Sequence, residues 1–149
     1  SGAKLEDELD GVEIKIIGFN GHDPLHTFAW IDSEKTVLGG VVLVENMHIW
    51  MADNKTSESR DLLIKTLENM KELQPERIIA GHFLDETSAG INIIDFTSNY
   101  IKSFDAMNKI TNNASDLINK MKEKYPNLHE EGTLEFSAKV VKGDIQWPK

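Results

Sequence analysis

The sequence predicts a mixed α/β (α+β) fold, in which helices cover one face of a small, mostly antiparallel sheet. Two observations support this class: three strand-like segments precede the first helix-like segment, and a four-residue polar turn joins two of those strands. A third is length, because 149 residues form one domain of common size with its own core. A single domain spanning residues 1–149 is therefore expected.

The strands follow from alternation and from β-branched content. Residues 12–16 alternate apolar with charged side chains, which indicates a half-buried strand. Residues 27–31 and 36–44 flank the polar turn 32–35, and this arrangement predicts an antiparallel hairpin. The short apolar run 77–80 predicts a buried strand.

The helices follow from apolar residues at helical spacing. Residues 57–73 begin with serine cap candidates and carry one apolar stripe. Residues 90–110 and 114–124 show the same periodicity. Residues 130–141 fit a helix or a strand, and the spacing of their apolar side chains favours a helix.

Composition restricts the partners and the chemistry. Lys and Arg number 16 against 25 Asp and Glu, a formal net charge of −9, which argues against nucleic acid or an anionic membrane as partner. No apolar run approaches the roughly 20 residues of a membrane span, so a soluble protein is expected, cytoplasmic or periplasmic. Without cysteine, any metal must be held by histidine and carboxylate. Ser1-Gly2-Ala3 has the composition of a tag-removal remnant.

Two histidines are the strongest candidate metal ligands, because each follows a strand and a glycine. His22 lies in Gly21-His22-Asp23, on a loop where a rigid scaffold can present a side chain. His82 ends the apolar run 77–81 in the same way. An ordinary loop histidine and a hydrogen-bonded core histidine are the respective alternatives.

Four further residues are candidates for the pocket or for orienting a ligand. His48 lies in an apolar stretch and is expected to line a pocket or to be packed, and His26 could orient a neighbouring group through its ring N–H. Asp23 and Asp53 each stand near a candidate histidine and could accept a proton or bind a metal, although turn and capping roles are the simpler alternative.

The order of these segments resembles the second half of the metallo-β-lactamase superfamily. Gly21-His22-Asp23 is followed by a strand, a polar turn and Thr36-Val37-Leu38-Gly39-Gly40, and the helix 57–73 by Ile78-Ile79-Ala80-Gly81-His82. Residues 92–105 are similar to the C-terminal helix of bacterial members. The likeness covers nearly the entire chain.

The resemblance implies the C-terminal half of an αβ/βα sandwich and a metal-dependent hydrolase. Zinc, one or two ions in the whole fold, would be held by His22 and His82, with His48 near the site mouth. Metal-bound water would attack an ester, lactone or amide-type bond of a small-molecule substrate. Two departures stand out: Val41 occupies the position of a bridging aspartate, and the hallmark His-x-His-x-Asp-His motif does not occur.

Three explanations of these departures stay open. The chain is the C-terminal portion of a longer hydrolase and inactive alone, or two copies complete one sheet, or it is a non-catalytic, self-associating interaction module. A halved sandwich exposes a sheet edge and an apolar face, so a homo-oligomer or a missing N-terminal half is the expected partner. The sequence assigns no catalytic residue.

Overall fold

The structure, a computed structural model, describes residues 5–18, 26–40, 42–83 and 92–148. No helix among these residues is long and apolar enough to cross a membrane. The elements follow in the order β1 (Leu5–Leu9), β2 (Val12–Ile17), β3 (Phe28–Ile31), β4 (Thr36–Leu38), β5 (Val44–Glu45), α1 (Ser57–Glu72), β6 (Arg77–Ile79), β7 (His82–Phe83), α2 (Asn92–Ile110), α3 (Ala114–Lys124) and α4 (Glu131–Lys142).

The main sheet has five strands in the order β1-β2-β3-β4-β6. The first three pairs are antiparallel, and β6 lies parallel to β4. A second, two-stranded parallel sheet joins β5 to β7. The predicted mixed α/β class with a small, mostly antiparallel sheet is therefore confirmed.

The chain divides by its internal packing into two compact units. We call the described residues of 5–45 and 61–98 the sheet unit, because they contain all seven strands. We call residues 46–60 and 99–148 the helical unit, because they contain α3, α4 and most of α2. The single domain expected from length stays a prediction.

One face of the main sheet is buried. Trp30, Val37 and Ile78 are register partners across β3, β4 and β6, and all three are at most 4% exposed. The α1 stripe predicted from sequence supplies Leu63 and Leu67, which are also buried in this unit. Each such side chain contributes about 1.5–3 kcal/mol of hydrophobic stabilisation.

The opposite face of the same sheet is apolar but only partly covered. The next row of register partners consists of Ile16, Ala29, Leu38 and Ile79, and these side chains are half-buried except for Ile79, which is 38% exposed. Ile14 and Ile31 extend this row along the same face by strand alternation. We call these six residues the open face.

One strand prediction is wrong, for a reason visible in the backbone. The strand expected over 36–44 stops at Leu38, because Gly40 takes a positive φ of 52° and Val42 N–H donates to the Gly39 carbonyl at 3.0 Å, which turns the chain. The charged segment before residue 10 forms β1. Asp10 and Gly11 both have positive φ, as a tight hairpin between β1 and β2 requires.

The helices of the helical unit agree closely with the sequence. Helix α3 spans the predicted residues, and its Asn113 cap side chain accepts from Asp116 N–H at 2.8 Å. The ambiguous segment after residue 130 is helix α4, which ends at Gly143 with φ 84°. Helix α4 packs on α3.

Candidate functional site

The ends of four strands of the main sheet meet at one edge. Strands β4 and β6 are parallel, so Gly39-Gly40 and Gly81-His82, which follow them, leave the sheet side by side. Gly39 N–H donates to the Ile79 carbonyl at 2.9 Å. A Cβ at Gly81 would lie 1.7 Å from the Gly40 carbonyl oxygen, so these two backbones touch and only glycine fits.

The antiparallel strands β2 and β3 bring their own ends to the same edge. A Cβ at Gly40 would lie 3.6 Å from the Thr27 carbonyl oxygen, just before β3. Gly18, just after β2, is equally close to His26 and Thr27, at 3.4 Å from a Cβ built on it. We call Gly18, Thr27, Gly39, Gly40 and Gly81 the glycine edge.

His82 stands at the glycine edge with its side chain exposed. It opens β7, pairs with Val44, and donates its backbone N–H to the Leu43 carbonyl at 3.5 Å. Its backbone is thus fixed while its imidazole faces solvent. His26, half-buried directly before β3, lies at the same edge.

Three of the predicted positions lie outside the described residues: His22, Asp23 and Val41. The described residues on either side of the segment with His22 and Asp23 are Gly18 and His26, and both lie at the glycine edge. Within the four described ranges, no group of three His, Asp or Glu side chains is placed to hold a metal ion. The described residues therefore supply one exposed imidazole and do not by themselves complete a zinc site.

His48, the predicted pocket histidine, is buried in the helical unit. Its side chain is 2% exposed, and Nδ1 lies 2.9 Å from the Tyr100 hydroxyl oxygen. The two rings meet edge to face at 5.8 Å between centroids. Burial lowers the pKa of His48 below 6.5 and raises that of Tyr100. His48 is held here as a neutral, hydrogen-bonded imidazole.

Tyr100 continues this buried contact toward α3. Its ring lies 5.2 Å from that of Tyr125, and the Tyr125 hydroxyl is 3.2 Å from Ser103 Oγ. Neither tyrosine is among the site residues predicted from the sequence, because Tyr100 reads as a single apolar position of α2 and Tyr125 directly follows α3. The signal that could have found them is the hydroxyl, which needs a partner once it is buried.

Asp53, the other predicted pocket residue of this unit, binds two indoles. Its carboxylate accepts from Trp50 Nε1 at 3.0 Å and from Trp147 Nε1 at 2.7 Å. Phe136 stacks on Trp50 at 5.0 Å and meets Trp147 edge to face at 5.6 Å. The carboxylate and the three aromatic rings therefore connect the C-terminal segment to the apolar stretch around Trp50.

A buried ion pair, also missed in the sequence, holds the start of α1 to α2. Arg60 is 2% exposed and donates to Asp105 Oδ1 through Nε at 2.9 Å and Nη2 at 2.7 Å. Its Nη1 donates to the carbonyls of Asn54 and Lys55 at 2.8 and 2.9 Å. The guanidinium is therefore saturated by the protein, which assigns it to structure rather than to ligand binding.

Comparison with known proteins supports the fold. No protein-family profile matches the sequence, and no curated protein matches it significantly. Among solved structures, the chain is similar to a metallo-beta-lactamase family protein from Thermus thermophilus, with a TM-score of 0.60 and 14% sequence identity. The likeness covers 93% of this chain and 45% of that chain, so this chain spans less than half of that protein's length. At this identity the likeness shows the fold alone, and the fold is that of the metallo-β-lactamases.

Proposed function

We propose that this chain is the C-terminal portion of a metal-dependent hydrolase with the metallo-β-lactamase fold. The glycine edge supports the proposal, because the strand end bearing His82 and the described residues on both sides of the His22 segment belong to one edge of the sheet. Ligands that come from separate strand ends at one edge are a common way to build a metal site.

In this proposal His22 and His82 hold zinc, and further ligands come from a segment outside this chain. Zinc at such a site would supply a water-derived nucleophile near neutral pH for attack on an ester, lactone or amide-type bond. His26 and Asp23, at or beside the ends of the His22 loop, are candidates for orienting the ligands. His48 and Asp53 already have hydrogen-bond partners in the helical unit, and a pocket role for them stays a prediction.

The isolated chain is expected to bind zinc weakly and to show little or no turnover, because two imidazoles fall short of the three protein ligands of a catalytic site. Calorimetric titration with zinc measures this. His22→Ala and His82→Ala should each abolish the weak binding, while His129→Ala, which removes another exposed imidazole, should leave it unchanged.

Two results would contradict this proposal. Stoichiometric zinc with enzyme-like hydrolysis of generic ester or lactam substrates by the 149-residue chain would show that it is complete as it stands. Zinc binding that survives both His22→Ala and His82→Ala would refute the ligand assignment.

A second candidate is the non-catalytic, self-associating module, and the open face is the observation that favours it. Six apolar side chains on one sheet face are half-buried or exposed, a pattern typical of an association surface. In the hydrolase proposal the remainder of a longer protein covers this face. In the isolated chain we expect a second copy to cover it, which gives a dimer or a larger assembly.

Ile79→Lys should therefore shift the isolated chain toward the monomer, because the lysine places a charge in the association surface. Light scattering coupled to gel filtration measures the mass over a concentration series. Ile110→Lys is the matched control: Ile110 is 71% exposed but lies on α2 and is not part of the open face, so its replacement should change nothing. A native chain that stays monomeric at every concentration would exclude self-association through the open face.

A further inference from the structure

His48 is a titratable group that the proposed hydrolase chemistry does not use. Imidazole is the side chain whose ordinary pKa lies closest to physiological pH, yet this one is 2% exposed. A buried charge without a counter-ion is costly, so the enclosure favours the neutral ring. The contacts of the residue decide what happens when the ring gains a proton.

The hydrogen bond between His48 and Tyr100 depends on the charge of the ring. Tyr100 Oη accepts a hydrogen bond from the Ile49 backbone, an interaction that opposes the rise of its pKa on burial. Nδ1 of His48 lies 2.9 Å from this hydroxyl, and on the neutral ring either atom can be the donor, because the tautomer decides their roles. On the protonated ring both nitrogens carry hydrogen, so Tyr100 can only accept from Nδ1 and its hydroxyl proton needs another acceptor.

The backbone of His48 makes a second connection, to the stretch between α3 and α4. His48 N–H donates to the His129 carbonyl at 2.9 Å, and His129 N–H donates to the Asn46 carbonyl at 3.2 Å. Met47 and His129 form an isolated parallel bridge between the same segments. His48 thus joins α2 through its ring and the α3–α4 connection through its backbone.

The charged groups around His48 have opposite effects on the protonation of its ring. Glu131 of α4 favours the protonated ring and Lys122 of α3 disfavours it, and these two side chains pair at 2.7 Å. Tyr100 and Tyr125 face the site from α2 and from the end of α3, and His129 is exposed beside it. Burial is then the largest influence and lowers the pKa of His48.

We propose that His48 is an acid-sensitive latch: protonation of its buried imidazole removes Nδ1 as an acceptor for the Tyr100 hydroxyl, places a charge in the enclosed site and frees residues 46–49 from the α3–α4 connection. The latch is independent of the metal-site proposal. Because the pKa is lowered in the folded state, the stabilisation is fully present above pH 6.5 and is lost as the pH falls below 6.5 toward the folded-state value.

Amide hydrogen exchange of the whole chain tests the latch. After correction for intrinsic rates, the opening of the His48 and His129 amides should increase severalfold between about pH 7.5 and about pH 5. His48→Asn keeps an acceptor oxygen for Tyr100 but cannot titrate, so its exchange should not depend on pH. His129→Asn, the control, removes the exposed imidazole of the same bridge and should behave like the native chain.

A second measurement holds even where His48→Asn fails to fold. Imidazole NMR of the native chain should place the His48 pKa below 6.5. A His48 that titrates at or above 6.5, or amides whose opening is the same at both pH values, would overturn the proposal.

Discussion

Asp105→Ala is expected to lower the free energy of unfolding by about 3–5 kcal/mol, because it leaves the buried Arg60 guanidinium without its counter-ion. Arg60 is 2% exposed and the Asp105 side chain 15% exposed, so water cannot replace the lost carboxylate. Asp105 also accepts from Ser57 Oγ at 2.7 Å and from Lys109 Nζ at 2.6 Å. Chemical denaturation at neutral pH measures the loss.

The matched control is Asp95→Ala, which removes an ion pair of similar length at the surface. Lys71 Nζ lies 2.8 Å from Asp95 Oδ1, but both side chains are more than half exposed. Pairs of this kind contribute about 0–1 kcal/mol. Equal losses for Asp105→Ala and Asp95→Ala would show that the buried pair is not a principal support of the helical unit.

The same pair gives a pH dependence. Burial alone would raise the pKa of Asp105, but hydrogen bonds from Lys109, Ser57 and Arg60 outweigh burial and hold it at about 2, below the ordinary 3.8. Its stabilisation is present above pH 3.8 and disappears as the pH falls toward 2. The Asp105→Ala variant should lack this acid-sensitive component.

Gly81→Ala is the second substitution with a large expected effect. The new methyl group would overlap the Gly40 carbonyl oxygen, at 1.7 Å, and the carbonyl carbon, at 2.4 Å. Because these are backbone atoms, the glycine edge must open, and we expect a loss of about 3 kcal/mol, the upper part of the range for overpacking. His82 follows directly, so zinc binding by the variant should also fall.

Gly132→Ala is the control for this substitution. Gly132 lies in α4, and a Cβ there meets nothing within 4 Å. Alanine should be neutral or should stabilise the helix by up to about 1 kcal/mol. If Gly81→Ala were equally harmless in thermal unfolding, the close contact between the two glycine segments would be absent from the molecule.

The fold was largely predictable because its elements depend on local patterns. The apolar periodicity of α3 and the hairpin between β3 and β4 both depend on residues that are close in sequence, and both elements occur where expected. The break after Leu38 was not predictable, because it depends on Leu43 and Gly81 packing against Gly39 and Gly40. The Asp10-Gly11 dipeptide, by contrast, is a sequence pattern that favours a tight hairpin turn. The charged residues before it do not show the alternation that predicts a strand.

The candidate site was predictable only in part. The Gly-His pattern led to His82, which is exposed at the glycine edge, and its role as a ligand stays a prediction. Tyr100, the partner of His48, is 52 positions away in sequence, and Trp147, a partner of Asp53, is 94 positions away. No local sequence pattern predicts these contacts. Arg60 and Asp105, 45 positions apart, were hidden for the same reason.

Imidazole NMR of the isolated chain during a zinc titration tests the central claim most directly, because it reports each histidine separately. We expect the imidazole signals of His22 and His82 to change together, with one midpoint in zinc concentration, while those of His48 and His129 stay unchanged. Changes at only one of the two, at separate zinc concentrations, or at neither would contradict the assignment of a shared metal site to this chain.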